Sequence, residues 1–451
     1  MNVADTVFDK EFSQVKLSGS KSVVCDLKCS IHAGGVTYEA VRVDELEIDR
    51  NYLNRYADRI ILTFTIGLGT FAGKIVPNKD KLEITVTKTP LQTTSDPNRD
   101  PTKSVEVQRY HAFLYDTGSP LIESKTPNLA NTEIADNTQL KTIQVQLVDH
   151  VIIKMRTVPL GGIFRNATPI DVIRAVLGKY GKLANEHVQY SVRGVDVAPG
   201  ASAEKINHIV VPHGTLINKF PRVVENTVGG IYPTGFSYYL QAGMWYVFAP
   251  YDIKRYFKST HNLTILNIPA NRLESIENSF RTTNGQVVVL ATGDIRLTDN
   301  GQREQNNLGN GVRFLDAAKI MLDFVKTEGN KAIASRANSS TEMALEKREN
   351  GIDLVSLSER VITSNYMAEY SKLAKRSGMI FQLKWQSSME RLIYPGMPVR
   401  VMYLNGAKDE SLYGITIGSH TIYRPTNIDP KIKRFASETQ LTVFVGRQHS
   451  Q

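Results

Sequence analysis

The sequence predicts an α+β, β-rich protein of several domains, and three observations support this. Apolar and polar residues alternate in short runs near both ends of the chain, as in Leu62-Thr63-Phe64-Thr65-Ile66, Leu82 to Thr87, Ile143 to Leu147 and Met379 to Gln386. Period two puts one row of side chains on a core face and the other on a polar face, and the Ile, Val and Thr content suits strands. Between these runs, Thr168-Pro169-Ile170-Asp171 has the form of a helix start. The chain also has 451 residues. Single cores stop growing near ~250–300 residues, so two to four domains are expected.

Residues 1–155 read as a first β domain, with exposed loops at 94–104 and 118–137 where Pro, Asp, Asn and Ser gather. Residues 156–265 read as a small α+β domain. Its helix begins with Thr168 as N-cap, Pro169 at the first helical position and Asp171 in the first turn; Ile170, Ile173 and Leu177 follow at helical spacing, and Gly178 is the expected end. A second helix is expected within 214–228. The aromatic stretch 229–252 reads as short strands at Ile231-Tyr232, Phe236 to Leu240 and Met244 to Phe248. Residues 266–310 and 378–451 form a second β region, with Asn284-Gly285 marking a type I′ hairpin. The segment 311–377 reads as a mainly helical insert broken at Gly329-Asn330 and Asn350-Gly351, and 296–312 as a polar loop. The two β regions are expected to be separate sheets, each wet on one face.

Composition is ordinary, at 41% hydrophobic and 22% charged with a net charge of +9. This excludes bulk disorder and permits contact with acidic surfaces, but no Lys/Arg cluster marks a nucleic-acid arm. No apolar run reaches the ~18 residues of a membrane span, and the polar start lacks a signal-peptide pattern, so cytoplasmic folding is expected. Cys25 and Cys29, four apart on a strand, share a face and read as buried thiols more readily than as half of a metal site.

No residue is assigned a catalytic, cofactor, metal or nucleic-acid role. The run Gly67-Leu-Gly69-Thr-Phe-Ala-Gly73-Lys74 misses both the dinucleotide fingerprint and the P-loop, and reads as a Gly-rich hairpin loop. His208 and His213 fall on opposite faces of a regular strand. Asp44, Glu45, Glu47 and Asp49 could hold a cation or serve glycoside hydrolysis, but a solvated charged sheet edge is the simpler reading. The ring-rich stretch 231–257 could stack ligands, but packing accounts for it, since each buried ring removes ~150–250 Å² from water.

Three stretches carry a resemblance: the helix GGIFRNATPIDVIRAVLGKY before the aromatic GGIYPTGFSYYLQAGMWYVFAPYD, the segment ITSNYMAEYSKLAKR running into a strand, and the turn YPGMPVRVMY before the closing strands. In this order of parts the chain resembles the central hub protein of tailed-phage baseplates, related to the hub portion of type VI secretion spike proteins. The resemblance implies two β-barrel-like tube domains, at 1–155 and at 266–310 plus 378–451, with the α+β domain and helical insert outside them. It implies a structural virion protein and no enzyme: a homotrimeric baseplate or tail-tip hub joining a hexameric tail tube to a trimeric spike or fibre. Its partners would be tail tube, spike or fibre and other baseplate proteins, with DNA passing only transiently through the lumen, and its place the virion tail after assembly in the host cytoplasm. The alternatives are a tail-associated cell-wall hydrolase and a receptor-binding or adaptor protein.

Overall fold

The computed structural model describes residues 6–21, 24–91, 105–115, 140–183, 192–273, 278–296, 325–328, 331–334, 378–405, 408–426 and 434–446, with a few positions between 367 and 375. The expected loops at 94–104, 118–137 and 297–312, and most of the expected helical insert, lie outside these residues.

The first segment carries α1 (Val7–Ser18), β1 (Ser20–Lys21), β2 (Val24–Ala33), β3 (Val36–Glu39), β4 (Arg42–Asn51), β5 (Arg59–Gly67), β6 (Glu83–Leu91), β7 (Glu106–Leu114) and β8 (Leu140–Val148). The middle segment carries α2 (His150–Thr157), β9 (Pro159–Ala167), α3 (Pro169–Leu183), β10 (Gly194–Val197), β11 (Ile206–Leu216), α4 (Phe220–Thr227), β12 (Ser237–Gln241) and β13 (Met244–Phe248). Last come β14 (Asn262–Asn267), β15 (Asn278–Thr283), β16 (Gln286–Arg296), β17 (Val325–Glu328), β18 (Lys331–Ala334), β19 (Met379–Gln386), β20 (Pro398–Asn405), β21 (Lys408–Pro425) and β22 (Phe435–Gly446).

The expected alternation is realised. On β2, Cys25, Leu27, Cys29, Ile31 and Ala33 point into one core with Ile60, Leu62, Phe64 and Ile66 of β5 and Ile143, Val145 and Leu147 of β8. Both cysteines are free and buried. Asn284 and Gly285 take left-handed φ values of 47° and 84° and turn β15 into β16, as the Asn-Gly pair predicts. Ala242 and Gly243 turn β12 into β13 in the same way, at 49° and 76°.

The separate sheets expected from sequence are not found. Most strands join a single 15-stranded sheet that runs through both β regions. Pairing passes from β2 through β6, β7, β8, β5, β4, β21 and β22 back to β2, an eight-strand circuit. A second circuit runs from β14 through β16, β19, β22, β21 and β20 back to β14, six strands in all. β21 and β22 belong to both. β21 has 18 residues: its first half pairs with β20, its second half with β4, and an irregularity between Thr416 and Gly418 separates the two. The cores stay distinct. Tyr423 and Phe435 face the first, while Leu412, Leu441, Val443 and Val445 face the second with Trp385 and Phe280.

Other expectations also change. α1 and β1 fall in the first segment by sequence but pack on the second β region. Phe8 and Val15 bury against Leu266, Val288, Leu290 and Met402, and Ser20 pairs with Phe280. Thr6 caps α1 by accepting from the Asp9 amide at 3.1 Å, and Asp409 of β21 accepts from the Val7 amide at 3.0 Å. The run after Gly67 is a chain of short helical turns over Leu68–Lys81, not a hairpin loop. α3 passes Gly178 to reach Leu183, because a small residue is tolerated inside a helix whose apolar stripe is anchored on both sides of it. Its N-cap is as expected, with Thr168 Oγ1 accepting from the Asp171 amide at 3.2 Å. In the segment read as helical, β17 and β18 are strands that pair antiparallel, Val325 with Ala334 through Glu328 with Lys331. Ile231-Tyr232 is irregular, not strand, and leads into a turn at Pro233-Thr234.

At Gly414 of β21 a Cβ would meet the Phe444 carbonyl of β22, so only glycine lets these strands approach. Gly414→Ala is expected to destabilise the chain by about 2–4 kcal/mol in urea denaturation, and both β regions should unfold in one shifted transition.

Candidate functional site

Three cores meet near β21. The third core fills the middle segment, where α2, α3 and α4 pack on Phe236, Tyr239, Leu240, Trp245 and Phe248. The aromatic stretch is thus mainly packing: Tyr232, Phe236, Tyr239, Trp245 and Phe248 are all buried. Tyr52, just after β4, and Ile415 of β21 reach into this core.

The junction is polar. Lys88 Nζ of β6 donates to Glu390 Oε1 at 2.6 Å, and Arg50 Nη1 of β4 lies 3.1 Å from Glu390 Oε2. Arg50 Nε donates to Asp58 Oδ2 at 3.1 Å, and the Tyr239 hydroxyl of β12 donates to Asp58 Oδ1 at 2.9 Å. The ion-paired chain Lys88–Glu390–Arg50–Asp58 therefore ties the first β segment to the turn after β19, and Tyr239 extends it into the α+β module. Burial disfavours ionised Glu390, but Lys88 and then Arg50 outweigh it and hold the carboxyl at about 2. Buried hydroxyls continue the junction: Ser388 Oγ lies 2.6 Å from Thr439 Oγ1, which lies 2.8 Å from Thr421 Oγ1. The Gln241 amide donates to the Ile393 carbonyl at 2.7 Å.

Beside this network opens a cleft of ≈ 770 Å³ between the first β segment and the α+β module. Asp149 lines it at the N-terminus of α2 and accepts from the Val151 amide at 2.8 Å. Burial pushes the Asp149 carboxyl up to about 6; the Val151 hydrogen bond opposes that shift and Asp58 adds to it. Asp149 and Asp58 are the pair that sequence reasoning missed. They are far apart in sequence and lack any shared motif, and only the meeting of β8 with the 52–58 turn brings them into one cleft.

The sequence candidates lie elsewhere. Asp44, Glu45, Glu47 and Asp49 are on β4, which is interior to the sheet, so the solvated-edge reading is replaced. Glu45 pairs with Arg424 at 3.0 Å, Glu47 with His420 at 3.3 Å and Asp49 with Arg55 at 2.6 Å, two of these across the β4–β21 seam. His208 and His213 lie on β11, whose register shifts between Val211 and Thr215, so strict alternation does not run through both. Among the described residues no group of three or more His, Cys, Asp or Glu is placed to hold a metal ion. Burial raises the Cys25 thiol to about 12, and it raises Cys29 as well.

Glu390→Gln would leave Lys88 and Arg50 buried without their shared acid, at an expected cost of about 3–5 kcal/mol in urea denaturation. In the native chain the Glu390 contribution is complete above its ordinary 4.5 and lost as pH falls toward about 2, a loss that the variant should lack. Asp149 has the opposite sign: its raised pKa makes the ionised form unfavourable, so stability falls as pH rises from 3.8 through about 6. Asp149→Asn keeps an N-cap acceptor and is expected to gain about 1–2 kcal/mol near pH 7.5. The gain should vanish below pH 3.8, as read from urea midpoints across pH.

No protein-family model and no curated protein sequence matches the chain. Among solved structures it is similar to the tail protein from Neisseria meningitidis MC58, with a TM-score of 0.41 and 11% identity over 93% of this chain and 96% of that one. The 43 kDa tail protein of prophage MuSo2 from Shewanella oneidensis gives 0.40 and 12%, over 92% and 97%. The E. coli c3393 protein, a component of the type VI secretion system with structural similarity to the T4 bacteriophage tail proteins gp27 and gp5, gives 0.36 and 9%, over 93% and 77%. These three solved structures are thus two tail proteins, one of them from a prophage, and a type VI secretion component.

Proposed function

We propose that the chain is a structural protein of a phage-type tail that works by assembly: a homotrimeric hub at the baseplate or tail tip. The carrying observation is the pair of strand-pairing circuits within one polypeptide. We read each circuit as a small barrel-like tube domain. Three copies would then present six such units around an axis, matching a hexameric tail tube on one side while keeping threefold symmetry for a spike or fibre on the other. Two unequal circuits, of eight and six strands, suit this purpose. They let the ring be nearly sixfold where it meets the tube and strictly threefold elsewhere.

The sequence resemblance at 161–180, 229–252, 362–376 and 394–403 points to the same role. In this reading the partners are tail tube, spike or fibre and other baseplate proteins, DNA passes through the lumen only transiently, and the protein resides in the virion tail. It performs no reaction. A cell-wall hydrolase is the second reading, favoured by one observation, the raised Asp149 carboxyl in the same cleft as Asp58. Against it, Asp149 is engaged as a helix cap, and Asp58 is held by Arg50 and Tyr239.

Cryo-electron microscopy of the intact particle is the test. Three copies on the tail axis, between tube and spike, are expected; copies at the tail periphery would overturn the hub. In parallel, incubation with peptidoglycan fragments is expected to release no product, and turnover abolished by Asp149→Asn would establish the hydrolase instead.

A further inference from the structure

The cleft beside the junction carries a charge imbalance that the structural role leaves unused. Among the described residues eight Arg and Lys side chains line it against four carboxylates. The carboxylates are all engaged: Glu390 and Asp58 by Lys88 and Arg50, Glu106 by Arg391 at 3.1 Å, and Asp149 by the start of α2. Arg55 and Arg109 pair with Asp49 and Glu83, which lie outside the cleft lining. That leaves Arg59, Arg156 and Arg193. None has a carboxylate within ion-pair reach among the described residues.

Two of the three are oriented without being neutralised. Arg59 Nη2 donates to the Tyr115 hydroxyl at 3.1 Å, with its guanidinium 5.9 Å from that ring. Arg156 Nε donates to the Tyr56 hydroxyl at 2.7 Å and lies 5.7 Å from its ring. A guanidinium has five N–H donors, so each keeps a free edge whose geometry matches a carboxylate or a phosphate. Arg193 comes from a third element, just before β10, and is exposed. Leu240 and Ile152 add apolar wall. The volume, ≈ 770 Å³, falls in the range of ligand sites, about 300–1,000 Å³.

We infer that this cleft binds a ligand bearing two or more oxyanion groups, carboxylate or phosphate, gripped by Arg59, Arg156 and Arg193 between the first β segment and the α+β module. Placing an anion there relieves the mutual repulsion of three like charges around one concavity, which gives both affinity and steering. The inference does not depend on the hub reading, because it rests only on the charges and their orientation.

The test is isothermal titration calorimetry of the full chain with citrate and, separately, tripolyphosphate at fixed ionic strength. Saturable binding of at least one probe at a single site is expected. Arg156→Gln with Arg193→Gln should weaken it by about tenfold or more, the scale of lost charged hydrogen bonds. Both residues are exposed, so the double variant should fold. Arg165→Gln together with Lys258→Gln makes the same charge change outside the cleft lining and should alter affinity by no more than about twofold, as distant screened charges do. Tighter citrate would assign the source to carboxylates, as on an acidic protein segment, and tighter tripolyphosphate to phosphates. No saturation by about 10 mM of either probe, beyond the weak-binding range, would overturn the inference. So would an equal loss in the control variant.

Discussion

Two hydrophobic cores share the same pair of hydrogen-bonded strands, and the rest of the architecture depends on that constraint. A strand has two edges, but a long one can change partners along its length. β21 does so at the Thr416–Gly418 irregularity, pairing with β20 before it and with β4 after it, while β22 stays on its other edge from Tyr413 to Pro425. The first and last thirds of the chain are thereby fused without merging their interiors. Residues on both sides of the irregularity are hydrogen-bonded to the same neighbour, so neither core can open without breaking the ladder that closes the other.

Where the cores converge, the chain cannot be apolar on every side, because each strand face there looks toward a different interior. Charged and hydroxyl groups occupy the junction instead. Such groups are costly to bury unless each finds a partner, and here Lys88, Arg50 and Tyr239, from three different parts of the chain, converge on Glu390 and Asp58. A network of this kind adds little net stability over a well-packed apolar junction. What it adds is discrimination, since any other docking of the α+β module on the sheet would leave the buried Tyr239 hydroxyl without its Asp58 acceptor. Arg59, Arg156 and Arg193, which line the cleft beside this junction, take no part in its ion pairs.

Many of the charged residues hold parts of the chain together. The carboxylates of β4 illustrate this. In the sequence they look like a possible acid–base or cation cluster, yet in the structure they are spread along a strand and matched to Arg424, His420 and Arg55. The contacts of Glu45 with Arg424 and Glu47 with His420 across the β4–β21 ladder favour one register over its neighbours.

Much of this could be read from the residues in order. Period-two alternation located β5, β6, β8 and β19; the Thr168-Pro169 pair started α3; and Asn284-Gly285 turned its hairpin. Each of these signals acts over a few residues, within reach of local sterics and a single burial face. Three features could not be read that way. α1 docks on a sheet that comes more than two hundred residues later, the run after Gly67 becomes helical with Ile75 buried under it, and β17 pairs with β18 where helix was expected. The sequence by itself determined the strands whose apolar residues alternate, the start of α3 and the Asn284-Gly285 turn, because each is set by neighbours a few residues away. Only the tertiary structure decided that β21 and β22 serve two circuits and that Asp58, Asp149, Arg156 and Arg193 share one cleft. Those outcomes depend on contacts between residues far apart in the chain, which no local pattern encodes.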